Sequence, residues 1–303
     1  MSSHPTDVSL SNSLVARPIP GMFRRIWGDS LRYWVGQYSH PMTWIGLGLF
    51  ALLLAFSWVG PWLYPADPLA IHVNHLLVGP SWAYPMGTDN LGRNLMARMM
   101  SGGRATLEVG LLGSAIAMAL GILFGMAAAM SPRWLDKVLM RLLDAILALP
   151  GIVLMIFFAA IVPLNTLSLI LVLGGLSWPG LARIVRNEAL AYKERDYVLA
   201  ARQFGASTFY IARTHLLRSM LPILIVNATF MVADLILALS GLSFLGLGIQ
   251  PPHASWGGLL NDGLQLVIIG PWWLIVFPGV AIFLAIVAMN VLGQGLLARL
   301  EGR

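Results

Sequence analysis

Few residues in this sequence could do chemistry, and fewer stand at the spacing chemistry needs. Gly87 and Gly92 have the glycine spacing of a phosphate-binding loop. Arg93-Asn94, however, stands where Lys-Ser/Thr would reach phosphate and magnesium, and no strand-loop-helix pattern surrounds the run, so nucleotide binding is not expected there. His72 and His75 could ligate a metal, but the only nearby acid is Asp67 and the chain has no cysteine, so they read as surface histidines of a loop. There is no HExxH run and no clustering of Ser, His and Asp, so neither a catalytic residue nor a metal site is predicted. Asn227 and Asp234 stand out for a different reason: they lie on one helical face within an apolar run. An aspartate at the centre of a membrane helix costs roughly 2.5–3.5 kcal/mol on insertion scales. Both residues are therefore expected to face protein or a polar pathway. A pathway role and a structural hydrogen bond to a neighbouring helix both satisfy that demand.

The elements that must carry these residues are membrane spans. The chain has 303 residues, 58% hydrophobic and 11% charged, with mean hydropathy +0.77. A soluble domain usually has about 25% charged residues. Apolar runs predict six spans: Thr43–Tyr64, Ala105–Met130, Leu139–Val162, a fourth ending near Ile184, Leu221–Leu247 and Pro271–Leu297. Trp44, Trp58 and Trp62 anchor the ends of the first, and Gly121 and Gly125 in the second have the spacing that lets helix backbones approach closely. Glu108 falls near one end of the second span, and Asp144 has a partner one turn away in Arg141. Met1 to Pro20 lacks the apolar core of a signal peptide, so the first span is expected to be retained. Phe23, Ile26, Trp27, Leu31, Trp34 and Val35 share a face, with Arg24, Arg25 and Arg32 among them, which predicts an amphipathic interfacial helix. The organisation expected is a tail and interfacial helix over 1–40, a first span and external loop over 41–104, and a five-helix core over 105–303.

Charge sets the orientation. With six spans, sixteen of the nineteen Lys and Arg fall on one side, while Arg93, Arg98 and Arg104 fall on the other. The positive-inside rule then places both termini in the cytoplasm, and it explains the +6 net charge without a nucleic-acid partner. The segment Asn187 to Pro222, too polar for hydrocarbon, becomes cytoplasmic. Within it, Tyr197 to Arg213 reads as a helix pair broken at Gly205, where glycine permits a kink or a close approach. Ala200, Ala201 and Phe204 form one face, Ser207 can cap a restarted helix, and Phe209, Tyr210 and Ile211 offer apolar anchors. Insertion into a groove on a partner and a solvated loop helix fit this pattern equally well.

The run LAARQFGAS, Leu199 to Ser207, followed by His215-Leu216-Leu217, resembles the EAA loop of ABC-importer permeases, most of all the dipeptide/oligopeptide/nickel family. Leu199-Ala200-Ala201 matches the E-A-A positions, Gly205 the glycine, and Arg195-Asp196-Tyr197-Val198 the family's R-D-Y-V. Leu199 stands where the general EAA loop has its glutamate, and the expected Leu-Pro-Asn reads Leu217-Arg218-Ser219, with the proline displaced to Pro222. Gly87-Thr88-Asp89-Asn90-Leu91-Gly92-Arg93-Asn94 is similar to G-T-D-x-L-G-R-D. Arg141 to Asp144 with Leu149-Pro150 resembles the family's R-x-x-D followed by x-P. Leu242 to Gly248, Pro251-Pro252 and Ser255-Trp256-Gly257 resemble its external segment, and Asn290 to Leu296 its C-terminal motif with Gln294 for the acid.

The resemblance implies an all-α integral membrane protein of the type I importer permease fold, multi-pass in the bacterial inner membrane. It implies a coupling helix in the loop 187–220, contacting the motor through Arg195, Asp196, Tyr197, Ala200, Ala201, Gly205, Ala206, Ser207 and Phe209. Asn227, Asp234, Ser243, Phe244 and Trp256 become candidates for the pathway or its gate, and Gly87, Thr88, Asp89, Gly92 and Arg93 for the external mouth. The implied partners are a homologous second permease, two ABC ATPase subunits that hold ATP and magnesium, an extracytoplasmic binding protein and the lipid membrane, with no cofactor in this chain. The implied cargo is a dipeptide, an oligopeptide, nickel or a metal chelate, or an antimicrobial peptide. The competing expectation is an ion-coupled secondary transporter using Asp234, although no internal repeat is evident.

Overall fold

The computed structural model describes residues 41–162 and 165–301. Apart from one antiparallel bridge between Thr88 and Asn94, regular structure among the described residues is helical. The interfacial helix expected over Phe23–Val35 lies outside them, as do Pro163 and Leu164 between the third and fourth expected spans.

Chain order gives α1 (Pro41–Trp58), the short α2 (Gly60–Leu63), α3 (Leu95–Met130), α4 (Arg133–Leu147), α5 (Gly151–Ile161) and α6 (Thr166–Lys193). Then come α7 (Asp196–Gln203), α8 (Thr208–Phe244), α9 (Trp256–Gln265) and α10 (Trp273–Glu301). Five of these are long and apolar enough to cross a membrane, and the bent pair α4–α5 supplies a sixth crossing if it counts as one.

Four expectations need correction. The third span is not one helix: α4 and α5 meet at a 78° bend. Pro150 lacks an N–H and disfavours helical backbone at Leu149, which weakens the ladder where the bend falls, although the residues on both sides are apolar. The fifth span begins at Thr208 rather than Leu221. It runs through an i→i+5 stretch at Ile211–Leu216 and carries Pro222 inside it, so Leu217-Arg218-Ser219, where the family has Leu-Pro-Asn, lies within a continuous helix. Asp144 pairs with Arg183 on α6, not with Arg141. The second span starts ten residues earlier than its apolar run, because Asn94 Oδ1 accepts the Ala97 N–H at 3.2 Å and caps the helix.

α3 and α6 pack along their lengths. A Cβ on Gly125 would sit 2.5 Å from Ala182 O, so the close approach read from the glycine spacing is present. α1 packs on α10, and α8 stands at the centre. All three apolar clusters include it: Val232 and Ile236 with α1, α3 and α10, Leu235 and Leu239 with α5 and α6, and Ile211, Leu216 and Met220 with α6 and α7.

Candidate functional site

The polar segment sits at one end of the bundle. Lys193 Nζ donates to Ala129 O at 3.0 Å, which ties the foot of α6 to the last turn of α3. Arg195 precedes α7 in extended backbone, and Asp196 opens its first turn, where an acid favours the helix dipole. One residue of α7, Val198, is fully buried, against Ile211, Leu216 and Met220 of α8 and Ala189 of α6. The Tyr197 ring lies 5.9 Å from His215, and its hydroxyl is 3.3 Å from Ser219 Oγ. The segment is thus held along one edge only. Ala200 is exposed and Ala201 and Ala206 are half-buried.

Gly205 stops α7. Its φ of +83° is left-handed, the Gly205 N–H donates to Arg202 O and the Ala206 N–H donates to Ala201 O, both at 3.0 Å. These are the paired bonds of a Schellman stop. A Cβ on Gly205 would meet nothing within 4 Å, so the chain needs glycine here for the kink and not for a close approach. Ser207 Oγ then accepts the Tyr210 N–H at 3.2 Å and starts α8. On either side of the stop, Phe204 is 91% and Phe209 75% exposed.

The opposite end of α3 carries the Gly87–Asn94 run, and its residues serve one another. Asp89 Oδ1 accepts the Leu91 and Arg93 N–H groups at 2.9 Å each. Asp89 Oδ2 accepts Arg93 Nε at 2.7 Å and Arg98 Nη1 at 2.6 Å. Thr88 Oγ1 accepts the Val78 N–H and donates to His75 O, at 2.8 and 2.6 Å. Trp273 Nε1 donates to Thr88 O at 3.1 Å, and Asn94 Nδ2 to the Tyr64 hydroxyl at 2.7 Å. Gly92 has φ +72°, and a Cβ there would fall 1.9 Å from His72 O. The loop's own carboxylate takes the two backbone N–H groups and the two guanidinium contacts itself. Beyond it, Asp262 of α9 lies 3.5 Å from Arg98. Burial holds the Asp262 carboxyl above its usual range, against the pull of Arg98 and Arg93. His72 and His75 stand with ring centres 6.3 Å apart, and no group of three metal-binding side chains exists among the described residues.

The pathway candidates separate into two kinds. Ser243 and Trp256 are buried packing residues: Ser243 Oγ is 3.2 Å from Ser255 Oγ, and the Trp256 indole N–H donates to Met99 O at 2.9 Å. The Trp256 backbone N–H donates to Thr106 Oγ1 at 3.1 Å, locking α9 onto α3. Asn227, Asp234 and Phe244 stay on accessible faces of α8. Asn227 Nδ2 donates to Ile223 O within its own helix at 2.8 Å, and no ion pair among the described residues engages Asp234. Sequence reasoning missed Arg98, Asp262, Tyr64 and Trp273, and the bidentate pair of Asp136 with Arg186, 2.6 Å at both contacts. A charge one turn inside α3 was the visible signal for Arg98.

Residues 121–303 match the sequence profile of the family described as binding-protein-dependent transport system inner membrane component. The chain is 39% identical over 251 residues to a dipeptide transport system permease protein of Bacillus subtilis, covering 82% of this chain and 78% of that one. It is equally identical over 259 residues to a Brucella suis protein provisionally named a peptide transport system permease, covering 86% and 87%. A second Brucella suis protein, provisionally named a peptide permease, matches at 39% over 251 residues, 82% and 81% of the two chains.

Proposed function

The chain belongs to the family of binding-protein-dependent transport system inner membrane components, and from that premise we propose that it forms part of the pathway through which an ATP-driven importer takes up peptides. It is a multi-pass inner-membrane permease and a non-catalytic component of its transport system. Family membership also removes the need for Asp234 as an ion-coupling site.

In the assembly we propose, a second, homologous permease completes the pathway. Two ATPase subunits bind ATP and magnesium, an extracytoplasmic protein delivers the peptide, and both termini face the cytoplasm, as does α7. The observation that carries the reading is the exposure of Phe204 and Phe209 at a helix stop that the chain itself leaves bare. A rigid corner with two aromatic anchors fits a groove on a soluble partner. Val198 links this corner to Ile211 and Leu216, and α8 continues unbroken from Thr208 past Asn227 and Asp234. A displacement of α7 by the closing ATPase pair therefore reaches the accessible face of α8 through one helix, and that face alternates between the two sides.

Copurification tests this. Replacing both phenylalanines, F204D with F209D, should leave the two permeases assembled in the membrane while the ATPases no longer copurify. Hot-spot aromatics are each worth about 2 kcal/mol or more, so losing both should lower affinity by roughly several hundredfold. Retained ATPases with normal substrate-stimulated hydrolysis would refute the docking role.

A further inference from the structure

We propose that α4 is an interfacial helix that binds anionic lipid at the inner leaflet, rather than the first half of a membrane span; the side of the membrane rests on the orientation proposed above. Its direction comes from its ion pairs. Asp136 reaches Arg186 and Asp144 reaches Arg183. The two acids lie about 12 Å apart along α4, while the two arginines lie only about 4–5 Å apart along α6. The helices therefore cross steeply, in agreement with the 78° bend between α4 and α5.

Its depth comes from α6. The crossing at Arg183 and Arg186 lies about 25–30 Å along α6 from the start at Thr166. The hydrocarbon core of a bilayer is about 30 Å thick. With the start of α6 at one boundary, α4 runs along the other, and α5 is left to make the third crossing between them, which keeps the count at six.

The outward side of α4 has the chemistry of that boundary. Leu143 is its one buried residue, and both acids are engaged by α6. Trp134, Val138 and Leu142 form an exposed apolar row at helical spacing. Arg133, Lys137 and Arg141 form a parallel exposed row on the adjoining arc, and no ion pair among the described residues engages them. Apolar side chains beside unopposed cations match acyl chains beneath anionic headgroups. A protein partner would instead have to supply acids along the whole basic row.

The test uses the complete transporter in nanodiscs of mixed phosphatidylglycerol and phosphatidylcholine, with the photo-crosslinking residue p-benzoyl-phenylalanine at Val138. The expected product is a lipid adduct enriched in phosphatidylglycerol over its share of the bilayer. Neutralising the basic row by R133Q, K137Q and R141Q should cut that enrichment about tenfold or more. The same crosslinker at Leu199 on α7 should yield protein adducts only. An adduct between Val138 and another subunit, or lipid adducts without anionic preference, would overturn the proposal. Failure of the underlying orientation is read separately. The chain has no cysteine, so an impermeant thiol reagent reports on Gly205→Cys alone among its positions. Labelling from outside would reverse the orientation and with it the inner-leaflet assignment, whatever Val138 touches.

Discussion

Gly205 allows the demands of the chain to be separated from those of its partner. The residue has φ +83° with no atom within 4 Å of an added Cβ. Any ordinary side chain there costs about 1–2 kcal/mol for left-handed backbone, and asparagine less, since its short polar side chain tolerates that region. Size adds nothing within the chain because the space is open. If backbone strain were the whole story, G205N would be near wild type, and G205A and G205R would suffer alike. A strain of 1–2 kcal/mol lowers the population of the stopped helix by a factor of about 5–30. A docked partner changes the order: G205N close to wild type, G205A reduced within that factor, and G205R with no measurable coupling. The assay is substrate-stimulated ATPase activity and uptake in the reconstituted transporter, at matched membrane levels of each variant. Equal activities of G205A and G205R, or normal coupling in G205R, would refute docking at this corner.

Gly92→Ala should be far more damaging than Gly205→Ala, because its Cβ would fall 1.9 Å from the backbone oxygen of His72; thermal unfolding in detergent and membrane yield report the difference. Asp89→Asn leaves Arg93 and Arg98 buried without their shared charge and should destabilise the protein by about 3–5 kcal/mol, seen as a fall in midpoint temperature and early proteolysis between Tyr64 and Leu95. Asp262 has a folded pKa raised chiefly by burial, so its contribution to stability is fully present below the ordinary carboxylate range and is lost as pH rises through the folded value. Asp262→Asn should therefore flatten the pH dependence of thermal stability above that range and leave the neutral-pH protein no less stable.

The spans were readable because hydropathy is a local property, and so were the stop at Gly205 and the cap at Ser207, which need only their neighbours. The break at Leu149-Pro150 was harder. Both flanks are apolar, so composition runs straight through a bend that backbone chemistry imposes. The union of that restarted helix with the fifth span was hidden for the opposite reason: Thr208 to Met220 is too polar to read as part of a span, and Ile211, Leu216 and Met220 become core only when α6 and α7 lie beside them. Asp144 found Arg183, and Arg98 found Asp262, across separations that no helical spacing announces. Trp256 looked like a gate residue because its motif suggested the external mouth. Its indole N–H on Met99 O shows that the motif also fastens α9 to α3.

These attachments imply where the bundle can yield. α8 has a share in all three apolar clusters and carries no break, so it moves with whatever moves α7. α4 is fastened differently. Its pair with Arg186 is largely buried and bidentate, whereas the Asp144–Arg183 pair is about half exposed on both sides. An exposed pair of that kind contributes about 0–1 kcal/mol. The bidentate pair and the fully buried Leu143 therefore hold α4 as far as residue 143, while the turn from Asp144 to Pro150 is held weakly. Movement of the third crossing relative to α6 should be absorbed between Asp144 and Pro150, because breaking the weak pair there costs least. The bidentate pair keeps the foot of α4 in step with α6 and, through Lys193 on Ala129, with the end of α3.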